Sequence, residues 1–192
     1  MTTHVTEKST IRRAMMARRD AIAPHEREMA SVRIAERVND LLSAANCRTV
    51  ALYAPKGSEV ETWLIDEEVR ATGGRVVYPR VVEHERLLQF HEVVPEQMVV
   101  AKYGLREPKN DWRNIVGLVE IDAFVIPGLA FDRRGGRIGW GKGHYDATLE
   151  KARAPLRVGI CFDVQLIDDV VRDPHDIDLS HVVTESATYK GR

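Results

Sequence analysis

Phe124-Val-Ile-Pro-Gly-Leu-Ala-Phe-Asp-Arg-Arg-Gly-Gly-Arg-Ile-Gly-Trp-Gly-Lys-Gly-His-Tyr-Asp146 is the stretch from which the rest of the chain is read. Five of the 13 glycines fall in the nine residues from Gly135 to Gly143, interleaved with Arg133, Arg134, Arg137 and Lys142. An apolar, strand-like run enters and a helix-like run, Tyr145 to Ala152, leaves. Glycines let a backbone approach a ligand and turn several N–H groups inward. With cations beside them and a helix start after them, they form an anion site. The alternative is a glycine-rich surface hairpin.

Neither familiar phosphate motif fits. Gly136-x-x-x-x-Gly141-Lys142 is followed by Gly143, where a P-loop needs the hydroxyl that holds Mg²⁺. Gly139-x-Gly141-x-Gly143 has its third glycine one place early for a dinucleotide fold. Asp146, in the first turn of the following helix, either complements the helix dipole or supplies the missing metal ligand. His144 and Tyr145 either pack at the rim or face a ligand.

Outward from this loop, strands and helices alternate. The readings are a helix over 10–22, a second from Pro24 with a stripe of Met29, Val32, Val38, Leu41 and Leu42, and a strand over 48–54. Ser58-Glu-Val-Glu61 reads as a capping box opening a helix to about Arg70, which Gly73-Gly74 stops. Strands follow over 75–81, broken at Pro79, and over 87–94. Residues 95–118 lack periodicity and read as a long loop. Further strands are expected over 121–126, 157–162 and 182–185. This order predicts an α/β layered fold, a largely parallel central sheet flanked by helices, with a helical N-terminal segment.

At 192 residues, 44% hydrophobic and 30% charged, the chain reads as one globular domain. A net charge of −1 supplies no global field for nucleic acid, so the local basic character points to a small anion. Cys47 and Cys161 have no metal-ligand spacing and read as reduced thiols. Met1 to Ser9 is polar and no apolar run reaches membrane-spanning length, so the expectation is a cytoplasmic protein, without nucleic-acid or membrane partners, and a monomer.

The run Pro127-Gly-Leu-Ala-Phe-Asp132, then Gly136-Arg-Ile-Gly-Trp-Gly-Lys-Gly-His-Tyr-Asp146, resembles the signature of the 5-formyltetrahydrofolate cyclo-ligase family. Lys8-x-x-x-Arg12, Glu59-Val-Glu-Thr62, Tyr103-Gly-Leu-Arg-Glu-Pro108, His175-Asp176 and Val183-Thr-Glu185 are similar to its other segments, in order. The resemblance implies ATP- and Mg²⁺-dependent cyclisation of 5-formyltetrahydrofolate to 5,10-methenyltetrahydrofolate. It makes Lys8 and Arg12 phosphate ligands, and Arg137, Ile138, Gly139, Trp140, Gly141, Lys142, Gly143, His144 and Tyr145 the ATP loop. Arg137, Lys142 and Tyr145 become the candidate catalytic groups, Asp146 and Asp176 the Mg²⁺ ligands, and Glu59, with Ala54 and Tyr103, the folate contacts. Taken without the resemblance, the Lys8/Arg12 pair is a solvated helix face, Asp176 an acidic surface residue and Glu59 a first-turn helix acid. Trp140 and His144 depart from the family's commoner residues. Lys102, Arg106 and Lys109 are cations that an acidic polyglutamate tail would meet. Two other readings stay open: a folate- or nucleotide-binding paralogue without turnover, and a phosphosugar- or CoA-type enzyme on a similar scaffold.

Overall fold

The computed structural model describes residues 2–101, 104–152, 154 and 156–191. Two helices open the fold, α1 (Thr2–Asp20) and α2 (Pro24–Ala44). Then come β1 (Thr49–Ala51), α3 (Trp63–Ala71), β2 (Arg75–Val81), β3 (Leu88–Glu92), β4 (Met98–Val100), β5 (Arg106–Pro108) and β6 (Ile115–Val116). The second half holds β7 (Ala123–Ile126), β8 (Ala130–Phe131), β9 (Arg137–Ile138), α4 (His144–Lys151), β10 (Leu156–Ile160), β11 (His181–Val183) and β12 (Thr188–Lys190).

Eight strands form one sheet in the order β12-β11-β10-β7-β1-β2-β3-β6. The inner five, β11 to β2, are mutually parallel, while β12, β3 and β6 run antiparallel to their neighbours at the two edges. The expected largely parallel α/β sheet is therefore present. Residues alternate between its faces. Val50, Leu52, Val76, Val125 and Val158 pack with Ile34, Val38, Ile65 and Val69 of α2 and α3. Ala51, Val77, Phe124, Ile126 and Val182 pack with Leu149 of α4. Phe90 meets Phe124 edge-on at 5.4 Å. Burial on both faces is why these strands read as continuous apolar runs.

Among the parallel strands, β2 lies on one side of β1, and β7, β10 and β11 lie on the other. The chain thus reverses its direction of winding between β1 and β7. The crevice at the carboxyl ends of two such strands is where doubly wound sheets bind ligands. The segment leaving β1 carries Glu59, and the segment leaving β7 carries the glycine stretch.

Several local expectations are corrected. Helix α1 begins at Thr2 rather than at residue 10, because its buried face, Lys8, Met15 and Arg19, is mostly polar and silent in a hydrophobicity pattern. In α2 the buried positions are Ala30, Ser31, Ile34, Ala35, Val38 and Leu42, whereas Met29 is 57% exposed. Ser58 to Glu61 do not cap a helix: α3 starts at Trp63 behind Thr62, whose hydroxyl donates to the Tyr53 carbonyl instead. Pro79 does not break β2 but pairs opposite Phe90. Residues 95–118 are not a bare loop, since β4 pairs with β5 and β6 extends the main sheet.

Candidate active site

The β8–β9 hairpin shapes the glycine stretch. Asp132 at its turn is 0% exposed. Its Oδ1 accepts from the amides of Arg134 (2.8 Å) and Gly136 (2.9 Å), and its Oδ2 from the amide of Val170 (2.9 Å). Arg172 completes a two-pronged ion pair, Nη1 to Oδ2 at 2.9 Å and Nη2 to Oδ1 at 3.1 Å. Burial alone would raise the Asp132 carboxyl, but these donors together outweigh it and hold the group below its ordinary value. A Cβ at Gly136 would stand 2.5 Å from Asp132 Oδ2 and 2.6 Å from Arg172, so the glycine is required by this packing. Arg134 pairs with Asp169, and Arg133 lies over the Tyr189 ring. Of the four interleaved cations, Lys142 has no ion pair among the described residues, and Arg137 faces Asp146.

Arg137 is nearly buried. It binds Asp146 Oδ1 at 2.6 Å, lies 5.7 Å from the Tyr145 ring centre, and leaves its Nε without a hydrogen-bond partner. Lys142 is exposed, with no ion pair among the described residues. Gly143 caps α4 in a left-handed conformation, and the helix then carries His144, Tyr145 and Asp146 in its first turn. Burial pushes the Tyr145 phenol upward against the opposing charge of Arg137, keeping it a neutral donor. His144 Nδ1 lies 3.0 Å from the Arg86 carbonyl.

Helix α1 crosses this loop. Ile11 and Met15 pack with Ala130, Ile138 and Val170, seating the helix on the hairpin. Arg12 Nε donates to the Gly139 carbonyl at 2.8 Å. One turn earlier, Lys8 Nζ bridges Asp173 (2.7 Å) and Asp176 (2.8 Å). Burial lowers the Lys8 pKa, and the two carboxylates more than reverse it, leaving the ammonium firmly charged. Asp173, His175 and Asp176 bring ligand atoms within 4.8 Å of one another, and the Ile177 amide lies 3.4 Å from Asp146 Oδ1. The two candidate metal acids thus stand on adjoining segments, each paired with a cation, Asp146 with Arg137 and Asp176 with Lys8.

Glu59, only 8% exposed, faces the loop from the β1 side. Its Oε2 accepts from the Lys56 amide at 3.0 Å. Among the described residues its Oε1 has only long contacts, Trp140 Nε1 at 3.4 Å and Arg19 Nη1 at 3.8 Å. Burial raises the Glu59 carboxyl above its ordinary value, against the Lys56 amide, Arg19 and Trp140. Ala54 is half-buried against the core nearby in the chain. Tyr103, with Lys102, lies outside the described residues. One group, Arg19, carried no sequence signal for the site. Glu107, which the Glu-Pro motif did mark, is buried beside Arg80 and His144 and raised by that burial. A groove of about 580 Å³ under the α1–α2 turn, lined by Arg18, His25, Met29 and Phe162, includes none of these site residues.

The fold and site define a class: a doubly wound α/β protein whose glycine loop, helix start and cations converge at the winding reversal. The model of the 5-formyltetrahydrofolate cyclo-ligase family matches residues 4–185, and the chain belongs to that family of ligases. It is 34% identical over 185 residues to the 5-formyltetrahydrofolate cyclo-ligase of Mycolicibacterium smegmatis, covering 92% of this chain and 93% of that protein. The Escherichia coli cyclo-ligase is 28% identical over 179 residues, covering 90% and 97%. Among solved structures, the Aquifex aeolicus 5,10-methenyltetrahydrofolate synthetase superposes with a TM-score of 0.82 at 28% identity, over 96% of this chain and 93% of that one. The Mycoplasma pneumoniae synthetase gives 0.76 at 25%, over 93% and 98%.

Proposed function

We propose that the protein converts 5-formyltetrahydrofolate to 5,10-methenyltetrahydrofolate, consuming ATP and releasing ADP and phosphate. The observation that carries this reading is the meeting of two candidate half-sites. Trp140 of the glycine loop touches Glu59, so a nucleotide on the loop and a pterin on the carboxylate would lie side by side. Relatives named for this activity match over nearly the whole chain.

The chemistry asks for alignment rather than a protein nucleophile. The formyl oxygen takes the γ-phosphoryl group of ATP, and ADP leaves. N10 then attacks the activated carbon, the C–O bond breaks to release phosphate, and N10 gives up its proton as the amidinium forms. Positioning and charge neutralisation are what phosphoryl transfer needs from a protein. In this reading Lys8, Arg12, Arg137 and Lys142 neutralise phosphate oxygens, with the glycine-loop amides. Tyr145 donates a neutral hydrogen bond. Glu59 accepts from the N–H groups of the pterin edge.

Asp146 and Asp176 are the residues that would hold Mg²⁺. Their oxygen donors suit the ion, and their present partners, Arg137 and Lys8, are the cations that the phosphates would take over. When bound, the metal supplies charge neutralisation between the phosphates.

The test is absorbance at the methenyl-folate band, with purified protein, 5-formyltetrahydrofolate and Mg²⁺, with and without ATP. ATP-dependent growth of the band is expected. No growth with intact ATP binding would replace the reading with a non-catalytic binding protein, and no growth without ATP binding would remove the nucleotide loop.

A further inference from the structure

Lys8, Arg12, Met15 and Arg19 recur at helical spacing on one face of α1, over about 16 Å at 1.5 Å per residue. The first two face the acidic loop and the glycine loop, and Met15 is packed on the hairpin. Arg19, at the far end, is 4% exposed and turned toward neither phosphate-side loop. Its Nε donates to Ser58 Oγ at 2.9 Å, and that hydroxyl donates in turn to Asp20. Its Nη1 lies 3.8 Å from Glu59 Oε1. A buried guanidinium fixed by the Ser58 hydroxyl is thus aimed at the Glu59 oxygen that has no close donor among the described residues.

We propose that Arg19 is a positioning residue that holds Glu59 as a charged, aimed acceptor for the pterin edge. The proposal rests on the folate reading of Glu59. Its physical basis is a conflict at that carboxylate. Only an ionised carboxylate accepts two hydrogen bonds from an amine and ring N–H pair, and a protonated one offers a donor in the wrong place. Burial favours the protonated form. Among the described residues, the charged or titratable groups around Glu59 are Arg19 from α1, Lys56 and Glu61 from its own segment, Tyr53 beyond β1, and Tyr145 from α4. Glu61 is an acid and both tyrosines are neutral, so the opposing charges come from Arg19 and the exposed Lys56 ammonium. Arg19 is held in place by the same segment it serves, through Ser58. Removing it takes away one of the groups that oppose burial, leaving the Lys56 amide, Trp140 and the Lys56 charge, so it raises the Glu59 pKa further and moves the acidic limb of folate recognition to higher pH.

The experiment measures KM for folate and for ATP from about pH 6 to 9 in Arg19→Gln and Arg19→Lys, each in the wild-type and the Glu59→Gln background. Arg19→Gln is expected to raise the folate KM about tenfold or more at neutral pH, with the ATP KM changed less than about threefold. Its acidic limb is expected to move up by about one pH unit, and Arg19→Lys to keep the limb in place. In the Glu59→Gln background, Arg19→Gln is expected to change the folate KM less than about twofold, since there is no charge left to hold. Additive effects, an unmoved limb, or an equal rise in the ATP KM would overturn the proposal. An unchanged folate KM in Glu59→Gln alone would instead overturn the folate role of Glu59. A carboxyl ¹³C NMR titration of Glu59 needs no turnover. Its midpoint should rise in Arg19→Gln, and an unchanged midpoint refutes Arg19's part even if the activity itself is misassigned. If Arg19→Gln does not fold, Ser58→Ala, which frees Arg19 Nε, must move the folate KM in the same direction.

Discussion

Replacing Asp132 by asparagine tests whether the glycine stretch is organised by this one buried carboxylate. The change is nearly isosteric, so lost acceptors rather than lost volume decide the outcome. Asparagine keeps one oxygen. In its less costly orientation that oxygen stays on Arg134, Gly136 and Arg172 Nη2, and the amide nitrogen faces the Val170 N–H and Arg172 Nη1. A buried amide left without an acceptor costs about 1–3 kcal/mol, and a charge-assisted bond contributes about 1.5–3 kcal/mol. Arg172 retains Asp178 and Asp169, which recovers part of the second term. The expected loss is about 3 kcal/mol at neutral pH, or about 6–12 °C in Tm for a chain of this length. Urea melts give the magnitude, and their pH dependence tests the cause. The folded Asp132 pKa is lowered, so its contribution is complete above the unfolded carboxyl pKa and is lost as pH falls through the folded value. The gap between wild type and variant should therefore close below the ordinary carboxylate range. A loss under about 1 kcal/mol, or a gap that does not change with pH, would refute the reasoning.

Glu59→Ala should weaken folate binding by at least about tenfold and ATP binding little, by parallel titrations; an equal loss of both would remove Glu59 from the folate half-site. Asp146→Ala should lower activity at limiting Mg²⁺, with partial recovery at excess metal, because Arg137 loses its carboxylate as the metal loses a ligand; kinetics unchanged at low Mg²⁺ would exclude Asp146 from the metal site. Gly141→Ala must hold a left-handed φ of 88° and meets Arg12 at 3.2 Å. The strain costs about 1–2 kcal/mol, and ATP affinity should fall before stability does. Normal ATP affinity there would mean the loop does not approach a ligand.

The parallel strands were legible because burial on both faces writes them as apolar runs, as in Ala123 to Ile126. Their neighbours at the edge were not: β6 has two residues, and β12 is Thr-Tyr-Lys, too short or too polar for a pattern. The glycine loop was legible as an anion site, but not its division of labour. Nothing in Arg133-Arg134 says that one lies on Tyr189 and the other pairs with Asp169. The capping box at Ser58 failed because that hydroxyl is claimed by Arg19 and Asp20 from α1. Arg19 itself was invisible for the same reason, since a buried polar face at helical spacing resembles a solvated one until its partners are placed. Tertiary partners, not local propensity, decided each of these cases.

The Lys8–Asp176 contact joins residues 168 positions apart, and Trp140 meets Glu59 across 81. Loops of that span close late in folding, after the local helices and the inner strand pairs. A chain still emerging from the ribosome, with its last strands unmade, therefore has no complete pocket to offer a ligand. Binding energy cannot then rescue an early intermediate, and it acts only on the finished fold. Saturating nucleotide and folate should slow unfolding and raise the melting temperature while leaving the refolding rate unchanged.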